Sequence, residues 1–139
     1  MKQKIDTSYL NKCNLALERA YSRLIQHQES EIDYEIYRSA VIKEFEIILE
    51  LSGKLLKKVL RDYFHSHKIA DKLVFKEIFR QAGLHGLLEL DEVERWLTYR
   101  DNRNSTSHDY GEALANKTLV LIEDFIADTT RVIEVINAH

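Results

Sequence analysis

The stretch Tyr99-Arg-Asp-Asn-Arg-Asn-Ser-Thr-Ser-His-Asp-Tyr110 gathers the groups of this chain best suited to binding an anion and moving a proton. These residue types suit a helix interior poorly and make good hydrogen-bonding groups. His108, with a reference pKa of about 6.5, can exchange a proton near neutral pH. Arg103 carries a fixed, always-charged fork of donors. The same composition also describes a polar helix end followed by a turn, with Ser107 or Asp109 capping the next helix.

Helical geometry sharpens the choice. At 100° per residue, Asp101, Ser105 and His108 share one stripe, and Arg103, Ser107 and Tyr110 share another. Arg103 and His108 are then about 140° apart on a straight helix, too far to grip one small target. Either the helix breaks between Thr106 and Asp109, or two copies of the segment meet across a two-fold axis and build a shared site.

Other chemistries find little support. His65 and His67 are two residues apart and would diverge on a helix rather than share a metal. HExxH, CxxC, glycine-rich phosphate loops and GxSxG are all missing. Trp96 and the tyrosines at 9, 21, 34, 37, 63 and 99 read as packing residues.

The elements that must position the polar segment are helices. The chain has no proline, and its four glycines are Gly53, Gly83, Gly86 and Gly111, so long helices are permitted almost everywhere. A first helix is predicted from Tyr9 to Gln28, with Leu10, Leu17, Leu24 and Ile25 on one side and Asp6, Thr7 or Ser8 as cap. A long one follows from Tyr34 to His65, its Val41, Phe45, Ile48, Leu55 and Val59 stepping by helical intervals. A shorter helix, Lys68 to Gln81, ends at Gly83 in a left-handed cap. The fourth starts near Leu90, with Asp91 as cap, and carries Val93, Trp96, Leu97 and Arg100. The fifth runs from Tyr110 to Asn137, with Leu114, Leu121, Phe125, Val132 and Ile136 inward. The expected fold is all-α, an up-and-down four-helix bundle with one additional short helix.

Length and composition agree with one domain over residues 1–139, at 45% hydrophobic and 31% charged residues. No apolar run approaches the roughly 20 residues that span a bilayer. The start, residues 1–12, has no apolar stretch, so no signal peptide is expected, and Cys13 is the only cysteine. A cytoplasmic protein without membrane association is the expectation. The net charge of −3 hides an asymmetry. Lys54, Lys57, Lys58, Arg61, Lys68 and Lys72 face only Asp62 and Asp71, whereas Glu29 to Glu50 is mostly acidic. One basic and one acidic face would result.

Arg103-Asn104-Ser105-Thr106-Ser107-His108-Asp109-Tyr110 resembles the RxxxxHxY pattern of HEPN domains. The flanks resemble the HEPN subfamily of nucleotidyltransferase substrate-binding proteins: Phe45-Glu46 and Glu50-Leu51, Phe75 through Gly83, and Trp96-Leu97. The likeness spans Leu10 to Ile133, with one departure at Gly53, where relatives often carry a bulky aromatic. The resemblance implies a metal-independent endoribonuclease toxin that needs no cofactor. It implies a homodimer in which both RxxxxH segments line one cleft on an RNA substrate. Arg103 and His108 would be catalytic, with Asp101, Asn104 and Ser107 supporting them. The implied partner is a cognate minimal nucleotidyltransferase acting as antitoxin, through AMP addition to Tyr110. An alternative within the same resemblance is a non-catalytic substrate-binding subunit of such a transferase.

Overall fold

The computed structural model describes residues 4–106 and 112–139. Six α-helices and one 3-10 turn occur among them, with no strand. The first, α1 (Ser8–Leu24), is started by Asp6, whose carboxylate accepts the Ser8 amide at 2.9 Å and its hydroxyl at 2.6 Å. It stops at Leu24 rather than near Gln28. The turn that follows carries Ile25, expected inward, out to solvent.

The long helix α2 (Ile32–Leu60) buries Val41, Phe45, Ile48, Leu55 and Val59 as their spacing predicts. It ends at Leu60, short of His65. The 3-10 turn Arg61–Tyr63 follows, then Phe64 in extended backbone, while Arg61 Nε bonds Asp71 at 2.8 Å across the corner. The single helix expected over 68–81 is two: α3 (His67–Asp71), capped by the Ser66 hydroxyl, and α4 (Phe75–Leu84).

Gly83 does not terminate α4. The left-handed residue is Gly86, with φ 74°. Around it the Leu87 amide bonds the Ala82 carbonyl at 2.9 Å, and the Gly86 amide bonds that of Gly83 at 3.1 Å, a Schellman ending. Gly83 serves another need: a Cβ there would lie 2.9 Å from Val93 Cγ2, so its bareness lets α4 approach the next helix. Gly53 is explained the same way. A Cβ on it would meet the Phe75 ring at 2.9 Å, so an aromatic from α4 fills the space beside it.

In α5 (Leu90–Thr106), Glu92 reaches back to accept the Glu89 amide at 3.0 Å, half of a capping box. The last helix is α6 (Glu112–Asn137). Thr7 bonds Asn137 at 2.8 Å and Asn14 bonds Thr130 at 3.1 Å, so α1 and α6 run antiparallel. Pairings between Arg95 and Asp128 and between Asn102 and Thr118 set α5 antiparallel to α6. The core is aromatic at its centre. Phe45 of α2, Phe79 of α4, Trp96 and Tyr99 of α5 and Phe125 of α6 meet there. Phe45 and Phe125 lie 4.6 Å apart between ring centres, Phe79 and Trp96 4.7 Å, and Tyr99 and Phe125 5.0 Å. Burying each ring stabilises the fold by roughly 2–3 kcal/mol. The cluster therefore fixes the position of α5.

Candidate functional site

Helix α5 carries three arginines, and the fold treats each differently. Arg95 makes a two-pronged contact with the buried carboxylate of Asp128, Nε to Oδ2 and Nη2 to Oδ1 both at 2.8 Å. The Tyr99 hydroxyl donates to the same carboxylate at 2.5 Å. Burial first, and then the bond to Asp128, push the Tyr99 phenol well above its ordinary value, so it stays protonated. Arg95 is held further above its own ordinary value, chiefly by its hydrogen bonds to Asp128. Arg100 pairs with Glu50 of α2 and lies over the Phe75 ring, 4.9 Å from its centre. Both side chains fasten α5 to its neighbours.

Arg103 stands on the last described turn of α5. It is half-buried and lines an open groove of about 540 Å³ with Tyr9, Glu46, Ile47, Glu50, Leu51 and Lys54. The groove lies between the start of α1 and the middle of α2. Lys54 belongs to the basic stretch read from the sequence, whereas Tyr9, read there as packing, is 60% exposed. A hydrogen bond to Cys13 is the main cause that holds its phenol above the usual value. Nothing in the sequence pattern links Tyr9 to Arg103, because the two are joined only by tertiary structure.

The other residues of the segment part company. Asp101 points to α4, where its carboxylate accepts from Lys76 Nζ at 2.6 Å. At 100° per residue it lies about 160° around the helix from Arg103, and the structure does not bring the two together. Asn102 donates to Thr118 Oγ1 at 2.6 Å and pins the end of α5 to α6, a role that sequence reasoning missed. Asn104 is on helical backbone. Its side chain, and Ser107, His108 and Tyr110 as whole residues, lie outside the described residues. The described helix runs through Thr106, so Arg103 has its helical direction up to that point.

Among the described residues no group of three or more His, Cys, Asp or Glu is placed to hold a metal ion. No described helix is long and apolar enough to cross a membrane.

A family model described as "nucleotidyltransferase substrate binding protein like" matches residues 7–138. Over 138 residues the chain is 27% identical to a Haemophilus influenzae protein named "probable ribonuclease HepT", covering 96% of this chain and 93% of that one. Among solved structures it is similar to a Haemophilus influenzae protein described as showing the fold of a substrate binding domain of a nucleotidyltransferase. That match has a TM-score of 0.81 and 26% identity, over 94% of this chain and 98% of the other. A Thermus thermophilus protein shares the fold at a TM-score of 0.73 and 24% identity, over 91% and 98% of the two chains.

Proposed function

From the premise that this chain belongs to the nucleotidyltransferase substrate binding protein-like family, we propose that it is a metal-independent endoribonuclease toxin whose activity a cognate minimal nucleotidyltransferase restrains. The observation that carries the reading is the placement of Arg103. It lines an open groove together with the exposed Tyr9 and Lys54 of two other helices. A relative named as a probable ribonuclease along nearly the whole chain supports the same reading.

The chemistry follows from the two side chains. His108 takes the proton of a ribose 2′-hydroxyl, the 2′-oxygen bonds to the adjacent phosphorus, and the bond to the 5′-oxygen breaks. The products are a 2′,3′-cyclic phosphate and a 5′-hydroxyl, which gains a proton returned by the imidazolium. Arg103 holds the phosphate oxygens as negative charge builds on them. A straight helix would set the two positions about 140° apart, so in this proposal the site is composite, formed by two copies of the chain in a homodimer. Asn104 and Ser107 orient these groups, and Asp101, turned to Lys76 on α4, is left out of the proposed site.

Arg103→Ala and His108→Ala should each lower RNA cleavage by about a hundredfold or more. Folding stability should change by less than about 0.5 kcal/mol, and the parent should keep its activity in a chelator. If parent and both variants leave RNA equally untouched yet bind the transferase, the protein is its substrate-binding subunit. The family description and the likeness to a transferase substrate binding domain favour that second reading.

Tyr110 is the control point in this proposal. AMP on its hydroxyl sets a bulky anion beside the arginine that must hold RNA phosphate. Protein produced with its transferase should gain the mass of AMP, and Tyr110→Phe should not. An unchanged gain in the variant would move the acceptor elsewhere.

A further inference from the structure

Two hollows open end to end along one seam of the bundle, where the N-terminal segment and the start of α1 face the second half of α2. The first is the Arg103 groove, with Tyr9 and Lys54 on its walls. The second, of about 430 Å³, is lined by Lys4, Ile5, Lys58, Val59, Arg61 and His67, together with Asp6, Asp62 and His139. Lys54 and Lys58 are four residues apart and share one stripe of α2, and Arg61 follows in the 3-10 turn. Both lysines are exposed, and Lys4 joins them from across the seam.

Of the acidic side chains along the seam, Glu50 pairs with Arg100 and Asp6 holds the first amide of α1, while Glu46 and Asp62 also line the hollows. Asp71 pairs with Arg61, which leaves Lys4, Lys54 and Lys58 as the cations of the track. Between the cations, Ile47 and Leu51 offer apolar wall in the first hollow and Ile5 and Val59 in the second. The exposed ring of Tyr9 stands beside Arg103. Cations at helical intervals, alternating with apolar patches and an exposed aromatic face, match a single-stranded polynucleotide better than an acidic protein surface.

We propose that this seam is an extended binding track for single-stranded RNA. The track leads away from Arg103 past Lys54 to a second phosphate-binding hollow at Lys58 and Lys4, so that the strand is held well beyond the bond being cut. The proposal rests on the ribonuclease reading, but its test reads binding rather than cleavage.

The experiment is fluorescence anisotropy with a labelled single-stranded RNA of about twelve nucleotides, on full-length protein carrying His108→Ala so that the strand stays intact. Adding Lys4→Glu with Lys58→Glu should weaken binding about tenfold at moderate salt. It should also make the slope of log K against log salt shallower by about 1.4, because two phosphates are no longer neutralised. An equal charge reversal at Arg19 and Arg23, exposed residues on another groove of α1, should leave affinity within about twofold. Circular dichroism and light scattering check that fold and mass are unchanged.

Equal weakening by both pairs, or none by the Lys4/Lys58 pair, overturns the track. A parent dimer that the Lys4/Lys58 pair turns monomeric does so as well, since the seam would then be an interface between copies. Loss of cleavage on Arg103→Ala with an inert Lys4/Lys58 pair removes the track and keeps the ribonuclease. Binding that depends on Lys4 and Lys58 without any cleavage by the parent keeps the track and removes the ribonuclease.

Discussion

The body of α5 and its last turn are built from similar residues and do opposite work. In the body, Arg95 and Tyr99 converge on the Asp128 carboxylate, and Val93 packs into the space left by Gly83. In the last turn, Arg103 borders an open groove and Asn102 supplies a single short bond to α6. What separates the two is the opposite wall: Arg95 is fastened to a buried carboxylate, whereas Arg103 lines an open groove. A residue type on one helix therefore carries no role until the opposite wall is known.

The sharpest way to break this comparison is Asp128→Ala. It leaves the Tyr99 hydroxyl buried without its acceptor and Arg95 without its main partner. Removing one member of such a buried set costs about 3–5 kcal/mol in a dry site. Arg95 is 37% exposed and can recover hydration, so a loss of about 2–3 kcal/mol is expected, read as a shift in the denaturation midpoint. RNA cleavage per folded molecule should change little. A variant as stable as the parent would mean that the body of α5 is held by its aromatic packing alone.

Tyr99→Phe probes the same body more gently. At neutral pH it removes one hydrogen bond and should cost about 1 kcal/mol. Its clearer signature lies at alkaline pH. Burial and the Asp128 carboxylate raise the Tyr99 pKa above the ordinary phenol value of 10.0. The stability from this shift is complete below about pH 10 and is lost as pH rises from there toward the folded-state pKa. Parent stability should fall from pH 10 to pH 11 more steeply than that of Tyr99→Phe. Parallel curves would show that the phenol is not the group holding that limb.

Much of the fold was legible because it is written in periodicity. The inward positions of α2 at 41, 45, 48, 55 and 59 follow from spacing alone, and residue type points to the packing role of Trp96 and Tyr99. Ends were harder to read. The basic residues after Gly53 suit a helix, and no proline or glycine marks the stop at Leu60. Arg61 is drawn to Asp71, ten residues on, and no local pattern shows that. Gly83 and Gly86 are equally plausible terminators in sequence, and only the approach of Val93 distinguishes the bare helix position from the left-handed one. At the site, the types and spacing of Arg103 and His108 stand out in the sequence. The neighbours of Arg103 do not, because Tyr9 and Lys54 come from other helices. The same distance hides the partners of Arg95 and Arg100, which lie 33 and 50 residues away.

The pairing of α1 with α6 has a consequence for how the molecule is made. Thr7 finds Asn137, and Asn14 finds Ile126 and Thr130, across separations of 112 to 130 residues. As the chain leaves the ribosome, α1 and α2 can close into a hairpin early, through contacts of short loop length. The other side of α1, with the amide of Asn14 set among apolar neighbours, then waits for the last helix to arrive. Until it does, that stripe is open to other chains or to a chaperone. Of the described helices, α1 is made before the rest and is among the last to be covered.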